Sequence, residues 1–163
     1  VDYFIIFRRR DSMYIEKNEF NVITIEKGIK VFGAKGGYEL YGKIDDMKNI
    51  AKGKKEHCSH YGLWIGNHPN EYYFIGIEVI DDEQSREYTT FTIPEGKYIQ
   101  NHFNAENIDK LLSEKCSMKY VEGENWAKQN NIQIDTSLFV EKYPEGMFDM
   151  EFPEMYYLCK VKE

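Results

Sequence analysis

From residue 19 to the C-terminus the apolar positions follow two rhythms. Alternation of period two, rich in β-branched and aromatic residues, marks strands over 19–26, 29–34, 60–66, 71–80, 87–93, 97–102, 136–143 and 154–162, because successive side chains on a strand point to opposite faces. Ile44, Met47, Ile50 and Ala51 recur at helical spacing with charges between them, which predicts a helix over roughly 40–53, ended by Gly53 and the Lys54-Lys55 pair. A second helical stretch, Ala105–Lys115, carries Ile108, Leu111 and Leu112 on one side, with Asn104 as its N-cap, and a short helix near 124–129 carries Trp126. Asn67-His68-Pro69-Asn70 has the composition of a hairpin turn between two strands. Residues 1–18 stand outside this pattern as an N-terminal extension or an extra strand.

Some of the strands resemble one another. Phe20-Asn21-Val22-Ile23-Thr24-Ile25-Glu26-Lys27-Gly28 recurs as Tyr88-Thr89-Thr90-Phe91-Thr92-Ile93-Pro94-Glu95-Gly96, and Tyr72-Tyr73-Phe74 recurs as Tyr156-Tyr157-Leu158. Two amphipathic strands can match by chance; the alternative is two copies of one supersecondary unit, which is too few and too long a repeat for a solenoid. The order of elements supports the second reading, with one module at about 19–80 and another at about 87–163 in a single domain over 19–163. The expected fold is α+β: duplicated β-α-β-β modules with pseudo-twofold symmetry and a mostly antiparallel sheet, helices on one face and a ligand cleft on the other.

Composition narrows the function. Thirteen Tyr, ten Phe and two Trp make 15% of 163 residues aromatic, more than a core of this size needs, so the surplus belongs to an interface or a pocket. A net charge of −7 argues against direct nucleic-acid binding, which needs a basic face. Arg8-Arg9-Arg10 reads as a solvated patch. Cys58, Cys116 and Cys159 are scattered and odd in number, so no disulfide framework follows and a reducing cytoplasm is the expected setting. The apolar run over 1–7 is too short to span a membrane. No cofactor motif stands out: Gly33-Ala34-Lys35-Gly36-Gly37 lacks phosphate-loop spacing, and His57-Cys58-Ser59-His60 lacks a second pair of metal ligands.

The candidate chemistry comes from splitting strands into faces. Trp64 shares a face with Gly62 and Gly66, which leaves room for a flat molecule to lie on the indole, the alternative being the close approach of another backbone. Phe139, Glu141 and Tyr143 share a face of their strand, and a carboxylate between two aromatics calls for a cation or a donor if buried. Tyr72, Phe74, Gly76 and Glu78 form one face of the 71–80 strand, with Glu78 as a second acidic candidate, while Tyr73, Ile75, Ile77 and Val79 form an apolar set. Cys116 and Cys159 read as space-filling.

Tyr72-Tyr73-Phe74-Ile75-Gly76-Ile77-Glu78-Val79, Thr92-Ile93-Pro94-Glu95-Gly96-Lys97-Tyr98 and Phe139-Val140-Glu141-Lys142-Tyr143-Pro144, in this order, resemble the GyrI-like family of effector-binding domains, over about 19–163. The resemblance implies a two-module α/β fold with an aromatic-lined surface that takes amphipathic, often cationic compounds, Glu141 being the best match to the family's acidic pocket residue. It also implies a stand-alone or excised domain, since 18 residues ahead of it are too few for a helix-turn-helix unit. Three readings follow. In the first the chain is a sensor or sequestering module, with Trp64, Tyr143, Phe139, Phe91, Tyr72 and Phe74 around the ligand and Glu141 neutralising it. In the second it is a hydrolase of reactive small molecules, with Glu141 or Glu78 as acid or base. In the third it binds a protein, as a gyrase inhibitor does.

Overall fold

The computed structural model describes residues 13–54 and 57–163. Eight strands pair antiparallel into one sheet: β1 (Asn18–Ile25), β2 (Ile29–Lys35), β3 (His60–Ile65), β4 (Tyr72–Val79), β5 (Thr89–Ile93), β6 (Gly96–Asn104), β7 (Ile134–Tyr143) and β8 (Glu154–Val161). Their spatial order is β1-β6-β8-β7-β3-β4-β2-β5. β1 and β5, which carry the two similar stretches, therefore lie on opposite edges, pairing with β6 and β2 respectively. The hairpin expected at 67–70 joins β3 to β4.

Alternation gives the sheet two different faces. One apolar cluster draws on every strand, with Ile25, Val31, Tyr61, Phe74, Ile93, Tyr98, Val140 and Leu158 among its members. Eight strands laid flat at their usual spacing would span about 34 Å, too far for both edges to share a cluster, so the sheet coils around this side chain set. The helices pack on the other face. α1 (Ile44–Ile50), preceded by a 3₁₀ turn over Tyr38–Lys43, buries Met47 against Phe32, Ile77 and Val79. α2 (Lys119–Gln129) buries Lys119, Gly123 and Ala127, a stripe at i, i+4 and i+8. Gly123 lets α2 press onto β8, since a Cβ there would come within 2.7 Å of Cys159 Sγ. Lys119 is tolerated at this buried position because Glu122 pairs with it at 2.8 Å and Asn18 Oδ1 accepts from it at 3.1 Å.

Three expectations shift. The first helix is split into the 3₁₀ turn and the short α1. The second is a π-helical segment over Lys110–Lys115 and a 3₁₀ turn over Cys116–Met118 that run straight into α2. Asn104 does not cap it. It is the last residue of β6, and its side chain accepts from Lys17 N and donates to Ile15 O, tying the entering chain to the sheet. Asn107 supplies the cap, its Oδ1 accepting from Lys110 N at 2.9 Å. Of the N-terminal extension, residues 1–12 lie outside the described residues, as does the Lys55 of the expected basic helix end.

Candidate functional site

Central strands β4, β3 and β7 bring the chemistry together. Across them Trp64 stands opposite both Tyr73 and Phe139, and Gly62 stands opposite Glu141. All point to the face that carries the helices. Gly62 makes the key contact possible: a Cβ there would overlap the Tyr73 hydroxyl and lie 2.6 Å from Glu141 Oε1. Through that gap Tyr73 Oη donates to Glu141 Oε1 at 2.5 Å, and Tyr143 Oη donates to the same oxygen at 2.8 Å. Tyr41, on the 3₁₀ turn, donates to Tyr143 Oη at 3.2 Å and lies 3.0 Å from Tyr73 Oη. The Cys116 thiol approaches Glu141 Oε2 at 3.7 Å from the helical segment.

Glu141 is 8% exposed, and among the described residues no lysine, arginine or histidine pairs with it. Burial raises its pKa above the ordinary carboxylate value, and the bonds from Tyr73, Tyr143, Cys116 and Trp64 oppose that rise. Burial and the neighbouring carboxylate raise Tyr73, Tyr143 and Cys116 in turn, so these donors keep their protons. The result is a carboxylate held in place by neutral donors.

Two cavities open beside it. One of about 300 Å³ is lined by Tyr38, Tyr41, Leu112, Cys116, Glu141, Tyr143 and Phe148. A larger one, about 470 Å³, is walled by Trp64, Tyr120, Phe139 and Tyr157. Trp64 is 41% exposed and leans on Tyr73 with ring centres 4.6 Å apart. Both cavities open on the helix-bearing face, not the bare one: the smaller lies between the 3₁₀ turn over Tyr38–Lys43 and the helical segment at Leu112 and Cys116, the larger between Tyr120 of α2 and the β3–β4 hairpin, while the other face is filled by the sheet's own coil.

Glu141, Tyr143, Trp64 and Phe139 are thus brought together as the sequence suggested. Phe91, Tyr72, Phe74 and Glu78 are not. Phe74, with Tyr72 and Phe91 against it, belongs to the core on the opposite face. Glu78 is buried on that side too, accepting from Tyr61 Oη at 3.4 Å. β4 has the two faces that alternation predicts for the strand at 71–80, but the site takes the apolar set, through Tyr73. The space expected beside Trp64 at Gly62 is filled by the protein's own Tyr73 and Glu141. Alternation alone does not single out Tyr73 or Tyr41, and Cys116, expected only to fill space, instead brings its thiol to the carboxylate. The hairpin at 67–70 held the signal for Tyr73, since it pairs Trp64 with Tyr73 on one face. Nothing local marks Tyr41 or Cys116, which arrive by helix packing.

No protein-family model matches the chain, and no curated protein does. Solved structures do. SAV2435, solved bound to tetraphenylphosphonium, is similar with a TM-score of 0.61 at 17% identity, over 88% of this chain and 94% of that one. The C-terminal domain of EcmrR gives a TM-score of 0.62 at 12% identity, over 92% and 99%. EcmrR in a complex with DNA gives 0.57 at 12% identity, over 99% of this chain and 63% of the longer one. The chain shares the fold of these domains, a mostly antiparallel α+β fold of the kind the GyrI-like resemblance implies.

Proposed function

We infer that this protein binds amphipathic, cationic small molecules, as an effector-sensing or drug-sequestering domain. The observation that carries this is Glu141: a buried carboxylate at an aromatic-lined cavity, bonded only to neutral donors among the described residues. An isolated buried charge is costly, and a lipophilic cation supplies the counter-charge without bringing a hydration shell. The rings of Tyr38, Tyr41 and Tyr143 line the same cavity, and cation–π attraction is worth about 0.5–1 kcal/mol at an exposed ring such as Tyr38 and up to about 2 kcal/mol at a desolvated one. SAV2435, which has this fold, was solved with such a cation, tetraphenylphosphonium. Of the two carboxylates named for a hydrolase, Glu78 lies on the face away from the Glu141 cavity, which leaves that reading to Glu141 alone.

Titration calorimetry with tetraphenylphosphonium tests the reading. The protein is expected to bind it, and Glu141→Gln to weaken binding by about 2 kcal/mol, roughly 30-fold, as for removal of one partner of a buried charge pair. Equal affinity in the two proteins would falsify the role given to Glu141. Mass spectrometry of the recovered cation is expected to find it intact.

A further inference from the structure

A third cavity, of about 250 Å³, lies between α1 and the turn after β7, with Tyr41, Ile44, Lys48, His60, Glu145 and Phe148 in its walls. It shares Tyr41 and Phe148 with the cavity that holds Glu141. Tyr41 is fixed, since its hydroxyl bonds to both Tyr73 and Tyr143. Phe148 is not fixed in that way. It is 56% exposed, sits on the 3₁₀ turn Met147–Asp149 after Gly146 (φ 77°), and lies parallel over the His60 ring at 5.9 Å.

Behind Phe148, His60 is 6% exposed and stacks on Tyr143 with ring centres 4.6 Å apart. Its Nε2 is buried with no hydrogen-bond partner among the described residues. Such an atom has lost its water without replacement, and a ligand group that reaches it recovers the cost. Resting on the cation-binding reading above, we propose that this chamber is a second compartment of the ligand site, partitioned from the first by Phe148, and that it takes a hydrogen-bonding group carried by a cationic ligand.

Burial pushes the His60 pKa down to about 4, so the imidazole is neutral at pH 7. Its Nε2 then donates or accepts according to tautomer, and a hydroxyl answers either state. The register sets the distance. Gly62 faces Glu141 and His60 faces Tyr143, so Glu141 and His60 are diagonal cross-strand neighbours on one face, with their Cα atoms about 7–8 Å apart. The preferred ligand is therefore a lipophilic cation with a hydroxyl on an arm of about that length.

Two phosphonium ions of matched size serve as probes in calorimetry: (4-hydroxybutyl)triphenylphosphonium and pentyltriphenylphosphonium. The protein is expected to bind the hydroxylated ion at least about fivefold more tightly. His60→Phe, which keeps the stack on Tyr143, is expected to erase that preference while changing tetraphenylphosphonium affinity less than about twofold. Phe148→Ala, at an exposed position, is expected to widen the preference by removing the partition. Equal affinities in the unaltered protein, or a preference that survives His60→Phe, would overturn the compartment. Equal weakening of both ions by Phe148→Ala would overturn the partition. Glu141→Gln separates the two readings: if it leaves both affinities and the hydroxyl preference intact, the cation role of Glu141 fails and the His60 compartment stands.

Discussion

At the residue scale the protein is organised around one charge. Alternation along 139–143 is enough to set Glu141 between Phe139 and Tyr143, so its place was legible in the sequence; its hydrogen-bond partners were not. Tyr73 was read as one of an apolar set, and only cross-strand pairing shows its hydroxyl beside the carboxylate. The shift on Glu141 makes a pH prediction. Its folded pKa lies above the unfolded value, so the proton is held more tightly in the native state. This group favours folding most at low pH, and that contribution is lost as pH rises through its folded pKa. A bound cation works against the same proton. Tetraphenylphosphonium affinity is expected to fall as pH drops, with the break above the ordinary carboxylate pKa of 4.5. Below the break it falls about tenfold per pH unit. Calorimetry between pH 8 and pH 5 measures this, and Glu141→Gln should flatten the profile. His60, with its pKa near 4, stays neutral over that range.

At the element scale the site depends on the β3–β4 hairpin and on one missing side chain. Strand positions were legible because alternation is local; β3 and β4 are shorter than expected by only a residue or two at their ends. Asn104 departs from the expected capping role for a physical reason. An Asn after a strand can tie the backbone there or start the next helix, and here Tyr14, Ile15 and Lys17 compete for it and win. Gly62 is the position where element and site meet. Gly62→Ala gains strand propensity, yet its methyl would meet the Tyr73 hydroxyl and Glu141 Oε1. The expected result is a folded protein with Tyr73 pushed off the carboxylate and cation affinity reduced at least about tenfold, a loss of about 1.4 kcal/mol. Circular dichroism reports the fold and calorimetry the affinity; unchanged affinity would mean that the Tyr73 bond does not shape the site.

At the scale of the whole molecule, a sheet coiled on one side and flanked by helices on the other places the aromatic-walled openings of Glu141 and Trp64 on the helix-bearing side. Sequence patterns predict that there are two faces, but which face closes is decided by the coil, a property of all eight strands together. That is why Phe91, Tyr72 and Phe74 were indistinguishable in the sequence from Trp64 and Phe139. The same architecture joins binding to stability. A ligand that binds only the native state stabilises it by RT ln(1 + [L]/Kd), about 2.7 kcal/mol at a hundredfold excess over Kd. For a chain of this length that is a rise in Tm of roughly 5–10 °C. Tetraphenylphosphonium is expected to produce that rise, and Glu141→Gln to remove most of it at the same concentration. Tetraphenylborate, of nearly the same shape and opposite charge, is expected to give no rise, because a second negative charge beside Glu141 is repelled where a cation is held. Equal shifts with both ions would mean that the aromatic walls alone select the ligand, with the buried carboxylate serving only the tyrosines around it.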